Sequence, residues 1–186
     1  MQKGIEEVMF LHFKQNFEGT TKVTVDQILE EIRTLPIPQI NAQQNMFLNK
    51  PVTTKEIETT IFQLGPYKAP GLDGIPAFFY QEYWDIVKHD IYNTVLAFFH
   101  SGSLLKTINQ TFITLIPKTS FPNNVNQFRP INLYNVIYKV ISKILVNRLK
   151  PLMNDLITPY QNGFIKGRSI TDNILIAHEI FDIMEL

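Results

Sequence analysis

Thr111-Phe112-Ile113-Thr114-Leu115-Ile116-Pro117-Lys118 and, after a polar stretch, Phe128-Arg129-Pro130-Ile131-Asn132-Leu133 decide how this 186-residue chain is read. Phe112 to Ile116 is short, β-branched and aromatic, and Pro117 ends it, which predicts a strand. Pro122-Asn123-Asn124-Val125-Asn126 supplies turn chemistry, and Arg129 to Leu133 reads as the returning strand. The pair predicts a β-hairpin with a long loop. On facing strands Lys118 and Arg129 sit near each other, and a point charge beside a forked guanidinium makes a good clamp for a triphosphate.

Downstream, Asn135 to Leu152 predicts a long helix. At ~100° per residue, Lys139, Lys143 and Lys150 fall within roughly 40° of one another. Ile137, Val140, Ile141, Ile144, Leu145, Leu149 and Leu152 take the opposite arc. A row of lysines suits a phosphodiester backbone, which asks for charge and reach rather than base recognition. It equally suits the wet side of an ordinary amphipathic helix, so both readings stand here. Arg148 falls inside the apolar arc, where it must pair with a buried acid or snorkel outward. Residues 158–168 form a loop containing Pro159, Gly163 and Gly167. Gln161-Asn162-Gly163-Phe164-Ile165-Lys166-Gly167-Arg168-Ser169 combines glycines, an aromatic ring and two cations, a sensible mix for gripping a strand. Ser169 or Thr171 caps a last helix with Ile174, Leu175, Ile176, Ile180, Phe181 and Ile183 as its apolar residues.

Upstream, residues 1–18 read as an amphipathic helix. Thr24 and Gln27 form a capping box for a second helix through Arg33, stopped by Pro36 and Pro38. Residues 34–50 read as a linker. Thr53 and Glu56 offer another capping box, with Ile57, Ile61 and Leu64 at helical spacing and Gly65-Pro66 as the stop. Residues 67–75 are a loop in which Lys68-Ala69-Pro70-Gly71-Leu72-Asp73-Gly74 lets backbone N–H groups approach a phosphate, although most such loops are only turns. Pro76 then opens one long aromatic helix, Ala77 to His100, closed by Ser101-Gly102-Ser103. Phe79, Tyr83, Ile86 and Val87 share one face and are expected in the core. The fold class expected is α+β, mainly α-helical with one β-hairpin.

Composition bounds the rest. With 45% hydrophobic and 18% charged residues a packed core is expected. There is no cysteine, hence no disulfide and no thiolate zinc site. The start of the chain does not read as a signal peptide, and no apolar run approaches the ~18 residues of a membrane span; a soluble intracellular protein is expected. The net charge of zero hides a pattern. Residues 1–100 hold 8 bases and 12 acids, residues 101–170 hold 9 bases and one acid, and residues 171–186 hold four acids and no base. The basic centre either attracts phosphates or merely solvates a face.

Taken in order, these segments resemble the reverse transcriptase of LINE-type (non-LTR) retrotransposons, most closely the plant kind. The likeness runs through Lys68 to Gly74, Trp84, Thr111 to Lys118, Phe128 to Leu133, Tyr138 to Leu149, Gln161 to Ser169 and Thr171-Asp172-Asn173-Ile174-Leu175. It implies the fingers part of a right-hand polymerase whose parent activity is RNA-directed DNA synthesis. It assigns residues 1–50 to a helical linker or N-terminal extension and 51–186 to a partial reverse transcriptase domain. It implies that Lys118 and Arg129 hold the triphosphate of an incoming deoxynucleotide. It puts Gln161, Gly163, Phe164 and Arg168 on the template strand, with Lys68, Gly71, Asp73 and Gly74 in a fingers extension along it. RNA template and RNA–DNA hybrid are the implied partners. The complete family enzyme uses Mg²⁺ on palm aspartates. Those are not found here: there is no Asp-Asp pair, Asp172, Asp182 and Glu185 lie in another context, and His12, His89, His100 and His178 make no metal motif. A palm-less piece, inactive alone and binding no cofactor, is therefore expected, with exposed apolar surface where a palm would pack. The alternative is a non-catalytic nucleic-acid-binding or protein-interaction module descended from such an enzyme.

Overall fold

In the computed structural model, residues 2–18, 24–33 and 38–184 are described. Eleven elements of α or β structure follow in chain order among them: α1 Gln2–Glu18, α2 Val25–Arg33, α3 Ala42–Leu48, α4 Thr54–Phe62, α5 Ala77–Glu82, α6 Trp84–Ser101, β1 Thr111–Pro117, β2 Phe128–Tyr134, α7 Val136–Leu149, α8 Met153–Leu156 and α9 Ile170–Met184. The molecule is mainly helical, with one antiparallel two-stranded sheet.

Local chemistry sets most boundaries. Thr24 and Gln27 exchange side-chain and backbone bonds at the start of α2. Thr53 Oγ1 accepts the Glu56 N–H at 3.2 Å to cap α4. Gly102 closes α6 in the left-handed conformation at φ 70°, its N–H donating to the Phe98 carbonyl. Pro36, expected to stop α2, lies outside the described residues, while α2 ends at Arg33.

Three expectations are corrected. Residues 34–50 are not all linker, because Asn41 and Gln44 close a reciprocal capping box that starts α3. The aromatic helix is not continuous. Tyr83 leaves helical geometry at φ −98° and ψ 28°, and its carbonyl accepts the Ile86 and Val87 N–H groups to begin α6. The break rotates the buried face: Trp84, Ile91 and Val95 enter the core, whereas Phe79, Tyr83 and Ile86 (75% exposed) face water.

The core lies where α4, α5, α6 and α7 meet. Ile57 and Ile61 of α4, Val95 of α6, and Val136, Val140 and Ile144 of α7 are fully buried. Trp84 meets Phe62 and Tyr92 edge-on at 5.8 and 5.5 Å. Leu145 and Leu149, expected on the apolar arc of α7, are exposed instead. Among the described residues, α2 and α9 bury no side chain.

Arg148 belongs to the buried face of α7 because it is fully bonded. Its Nε and Nη2 donate to both Glu56 carboxylate oxygens at 2.8 Å. Its remaining N–H groups reach the carbonyls of Leu48, Lys50 and Pro51 at 3.0, 2.6 and 3.3 Å. All five guanidinium donors are satisfied in one fork. The capping box expected at Thr53 is only half made, because the Glu56 carboxylate goes to Arg148 instead. The Arg148 hydrogen bonds hold the Glu56 carboxyl below its usual range despite burial, and the Arg148 guanidinium is correspondingly raised.

In the hairpin, Ile116 pairs with Arg129, Leu115 with Pro130 and Pro117 with Phe128. The Lys118 N–H donates to the Gln127 carbonyl at 2.7 Å. Antiparallel pairs alternate between bonded and non-bonded, so both prolines fall at non-bonded pairs and no ladder bond is lost. Ile113 and Leu115 point to a hollow of about 340 Å³ shared with Met9, Phe10, Phe13 and Phe17 of α1. By alternation the Arg129 face is the opposite one.

Candidate nucleic-acid interface

The N-terminus of α7 anchors two loops. Asn135, the residue before α7, is buried and accepts the Asp73 N–H on Oδ1 at 3.3 Å. Its Nδ2 donates to the carbonyls of Thr107 and Ile108. Gly71 lies so close that a Cβ there would sit 2.2 Å from Asn135 Oδ1 and 2.3 Å from its backbone nitrogen. Gly74 takes φ 68°, and Asp73 Oδ1 accepts the Ile75 N–H at 3.0 Å to fold the turn. Within the Lys68–Gly74 loop, Gly71 and Asp73 therefore hold the loop against Asn135 at the start of α7, and Gly74 shapes the turn.

That docking builds a groove. A hollow of about 600 Å³ runs between residues 63–69 and α7, and Lys68, Lys139 and Lys143 all line it. Tyr134 and Tyr138 line it too, stacked at 4.6 Å with planes 12° apart. Lys139 Nζ donates to the Ala69 carbonyl at 2.6 Å. Partial burial lowers the Lys139 ammonium; Asp73 pulls it back up and Lys68 pushes it further down. Burial, assisted by Asp73, raises the Tyr80 phenol.

Lys150 lines a second hollow, of about 480 Å³, together with Phe164 and Lys166. Val146 lines both hollows. Lys139 and Lys143 of α7 thus line one hollow together with Lys68, and Lys150, just beyond α7, lines the adjoining one together with Lys166. Lys68 and Lys166 are separated by almost a hundred residues of chain, so helical spacing alone does not group them. The Tyr134–Tyr138 pair likewise escapes sequence reasoning; its only signal is two aromatics four apart across the strand–helix junction.

At the hairpin, Lys118 lies two residues beyond Ile116 and so shares a ribbon face with Arg129. Lys118 Nζ donates to the Asn126 carbonyl at 2.8 Å, and both side chains are exposed. In the 158–168 loop the Arg168 guanidinium turns inward. It donates to the carbonyls of Thr158, Gln161, Ile157 and Asn154. Gln161 is exposed, and Gly163 leaves ordinary room for a Cβ. Gly167, at φ 85°, is the glycine this loop requires. Phe164 is fully exposed.

Residues 116–184 match the family model described as reverse transcriptase (RNA-dependent DNA polymerase). The match begins in β1 and contains Lys118, Arg129, the α7 lysines and the 158–168 loop; Lys68 to Gly74 lie before it. The chain is also 27% identical over 168 residues to the Transposon TX1 uncharacterized 149 kDa protein of Xenopus laevis, covering 90% of this chain. The chain spans 13% of that relative's length. The reverse transcriptase likeness carried by the motifs is thus met in the family model, and the transposon likeness in a relative named as a transposon protein. Mg²⁺, which the family implies, needs clustered oxygen ligands. Among the described residues no three His, Asp or Glu side chains gather as a ready-made metal cluster. Nor, among the described residues, is any helix long and apolar enough to cross a membrane.

Proposed function

We propose that the chain carries the fingers part of a LINE-type retrotransposon reverse transcriptase, and that its α7 surface tracks the backbone of an RNA template or an RNA–DNA hybrid. The observation that carries this reading is the convergence of Lys68, Lys139 and Lys143 in one groove that shares Val146 with the hollow of Lys150 and Lys166. Ammonium groups in a row neutralise successive phosphates without reading bases. The loop at Gly71, Asp73 and Gly74 positions Lys68 over α7. Lys118 and Arg129, on one face of the hairpin tip, are proposed to receive the triphosphate of a deoxynucleotide.

Titrating a labelled RNA–DNA hybrid with the chain tests this. The wild type binds and weakens with salt. The K139A/K143A double variant binds more weakly with a shallower salt dependence, by about 0.7–0.9 in log–log slope for each phosphate no longer neutralised. Binding that ignores both substitutions contradicts the reading. These 186 residues are further proposed not to polymerise by themselves, a reading supported by the lack of any Asp-Asp pair in the sequence. Sustained primer extension on an RNA template would overturn that part.

A further inference from the structure

We propose that α9 docks into the hollow of Lys150 and Lys166 on a second copy of this chain, and that the exchange is reciprocal, giving a two-fold dimer; this stands apart from the nucleic-acid reading. α9 is 15 residues long and, among the described residues, buries no side chain. A helix of that length is marginal in water on its own, because helices in proteins draw most of their stability from packing an amphipathic face. α9 has such a face. At ~100° per residue, Ile170, Ile174, Ile176, Ile180, Phe181 and Ile183 occupy one half of its circumference, with Leu175 as the exception. Asp172 and Glu179 stand at the border of that half, next to Ile183, and Asp182 lies beyond them. All these side chains are exposed.

The same chain carries a surface that complements this helix. The hollow of about 480 Å³ at the end of α7 is lined by Leu149, Met153, Phe164 and Ile165, with Lys150 and Lys166 as its charges. Leu149 and Phe164 are open to water there. An apolar floor with two ammonium groups matches an apolar helix face edged by carboxylates in both hydrophobicity and sign of charge. A phosphate backbone would engage the ammonium groups alone, whereas an apolar helix also covers Leu149 and Met153.

The partner is a second copy because α9 does not fill the hollow of its own chain. Asn173 ties the start of α9 to its own loop: Asn162 Nδ2 donates to Asn173 Oδ1 at 2.8 Å, and Asn173 Nδ2 donates to the Tyr160 carbonyl at 3.0 Å. With those bonds in place, no residue of α9 lines the hollow. A neighbouring molecule can present its α9 there without breaking either bond. Each copy holds both the helix and the hollow, so a two-fold axis makes both dockings at once and leaves no surface free for further growth. Each α9 is about 22 Å long, so two of them give a modest interface and a concentration-dependent dimer.

The test is the mass of the nucleic-acid-free 186-residue chain, read by sedimentation equilibrium over a concentration series at low salt. The mass is expected to rise from 21.6 kDa toward twice that value and no further, and to fall back as salt screens the charges. I174S/F181S and K150E/K166E should each lose roughly tenfold or more in association. Both alter only exposed side chains, so both should melt as wild type does at dilution. Adding E179K to K150E/K166E restores opposite charges and should recover part of the association. Mixing I174S/F181S with K150E/K166E should also form a pair, because one supplies an intact hollow and the other an intact α9. A wild type that stays at 21.6 kDa throughout overturns the proposal. A dimer indifferent to K150E/K166E means that α9 faces another α9, and the docking in the hollow is wrong. Growth beyond two copies, or a mixture that does not pair, rules out the reciprocal exchange.

Discussion

Arg148 and Glu56 lie 92 residues apart and meet in a two-pronged ion pair, with the arginine only 9% exposed. Removing Arg148 leaves the half-buried Glu56 carboxylate unpaired and three carbonyls without their donor. R148A is therefore expected to cost about 3–5 kcal/mol, the range for breaking a buried pair, read by urea denaturation. Arg148→Met should cost less, because it refills the space without a charge. The pair also gives an acid limb. The Glu56 carboxyl is held below its ordinary value of 4.5, chiefly by Arg148. Its contribution is complete above that value and disappears as pH falls through the lower folded-state value. E56Q should flatten the loss of stability below about pH 4.5, and an unchanged acid limb would refute the assignment. Gly71 is the second residue of this kind. Any Cβ collides with Asn135, so G71A should cost about 1–3 kcal/mol, as overpacking does, and should weaken hybrid binding by displacing Lys68.

At the level of elements, what is legible in the sequence is what a few neighbouring residues decide. Thr24 with Gln27, Thr53 and Gly102 act through bonds to residues close in sequence, and the helix ends they set agree with the reading. The Asn41–Gln44 box carries the same kind of signal, but it is hidden in an Asn- and Gln-rich stretch that resembles a linker. The break at Tyr83 is not legible, because no proline or glycine marks it; the pull of Trp84 toward Phe62 and Tyr92 accounts for it only once α4 is in place. The groove is half legible. Helical spacing groups Lys139 with Lys143, but the Lys139–Ala69 bond spans 70 residues and no local pattern reports it. Arg148 visibly needs an acid, yet nothing local says which. At this scale T53A should destabilise α4 by about 1 kcal/mol, the usual cost of a lost N-cap. P130A should be nearly neutral in a thermal melt, because Pro130 occupies a non-bonded pair and withholds no ladder bond.

For the whole molecule, α9 differs from the helices that make the core. It is exposed throughout, with Ile174, Leu175, Ile180 and Phe181 open to water and Asp172, Glu179 and Asp182 as its charges. Its acidity sets it apart from the basic strip of α7, so it is not expected to share the nucleic acid. Its links to the rest include Asn173 with Asn162 and the Tyr160 carbonyl. The hydrophobic term therefore contributes little to keeping it in place, whereas α4, α6 and α7 hold one another through buried side chains. Ending the chain after Asn173 removes most of α9 and keeps those links. The truncated protein should melt within a few degrees of the full chain, the shift that about 1 kcal/mol or less produces. It should also scatter less light at equal concentration, because most of the exposed isoleucines and phenylalanine of α9 are gone. A large drop in melting temperature would mean that α9 packs on the core in solution, and unchanged scattering would mean that its apolar residues do not drive association.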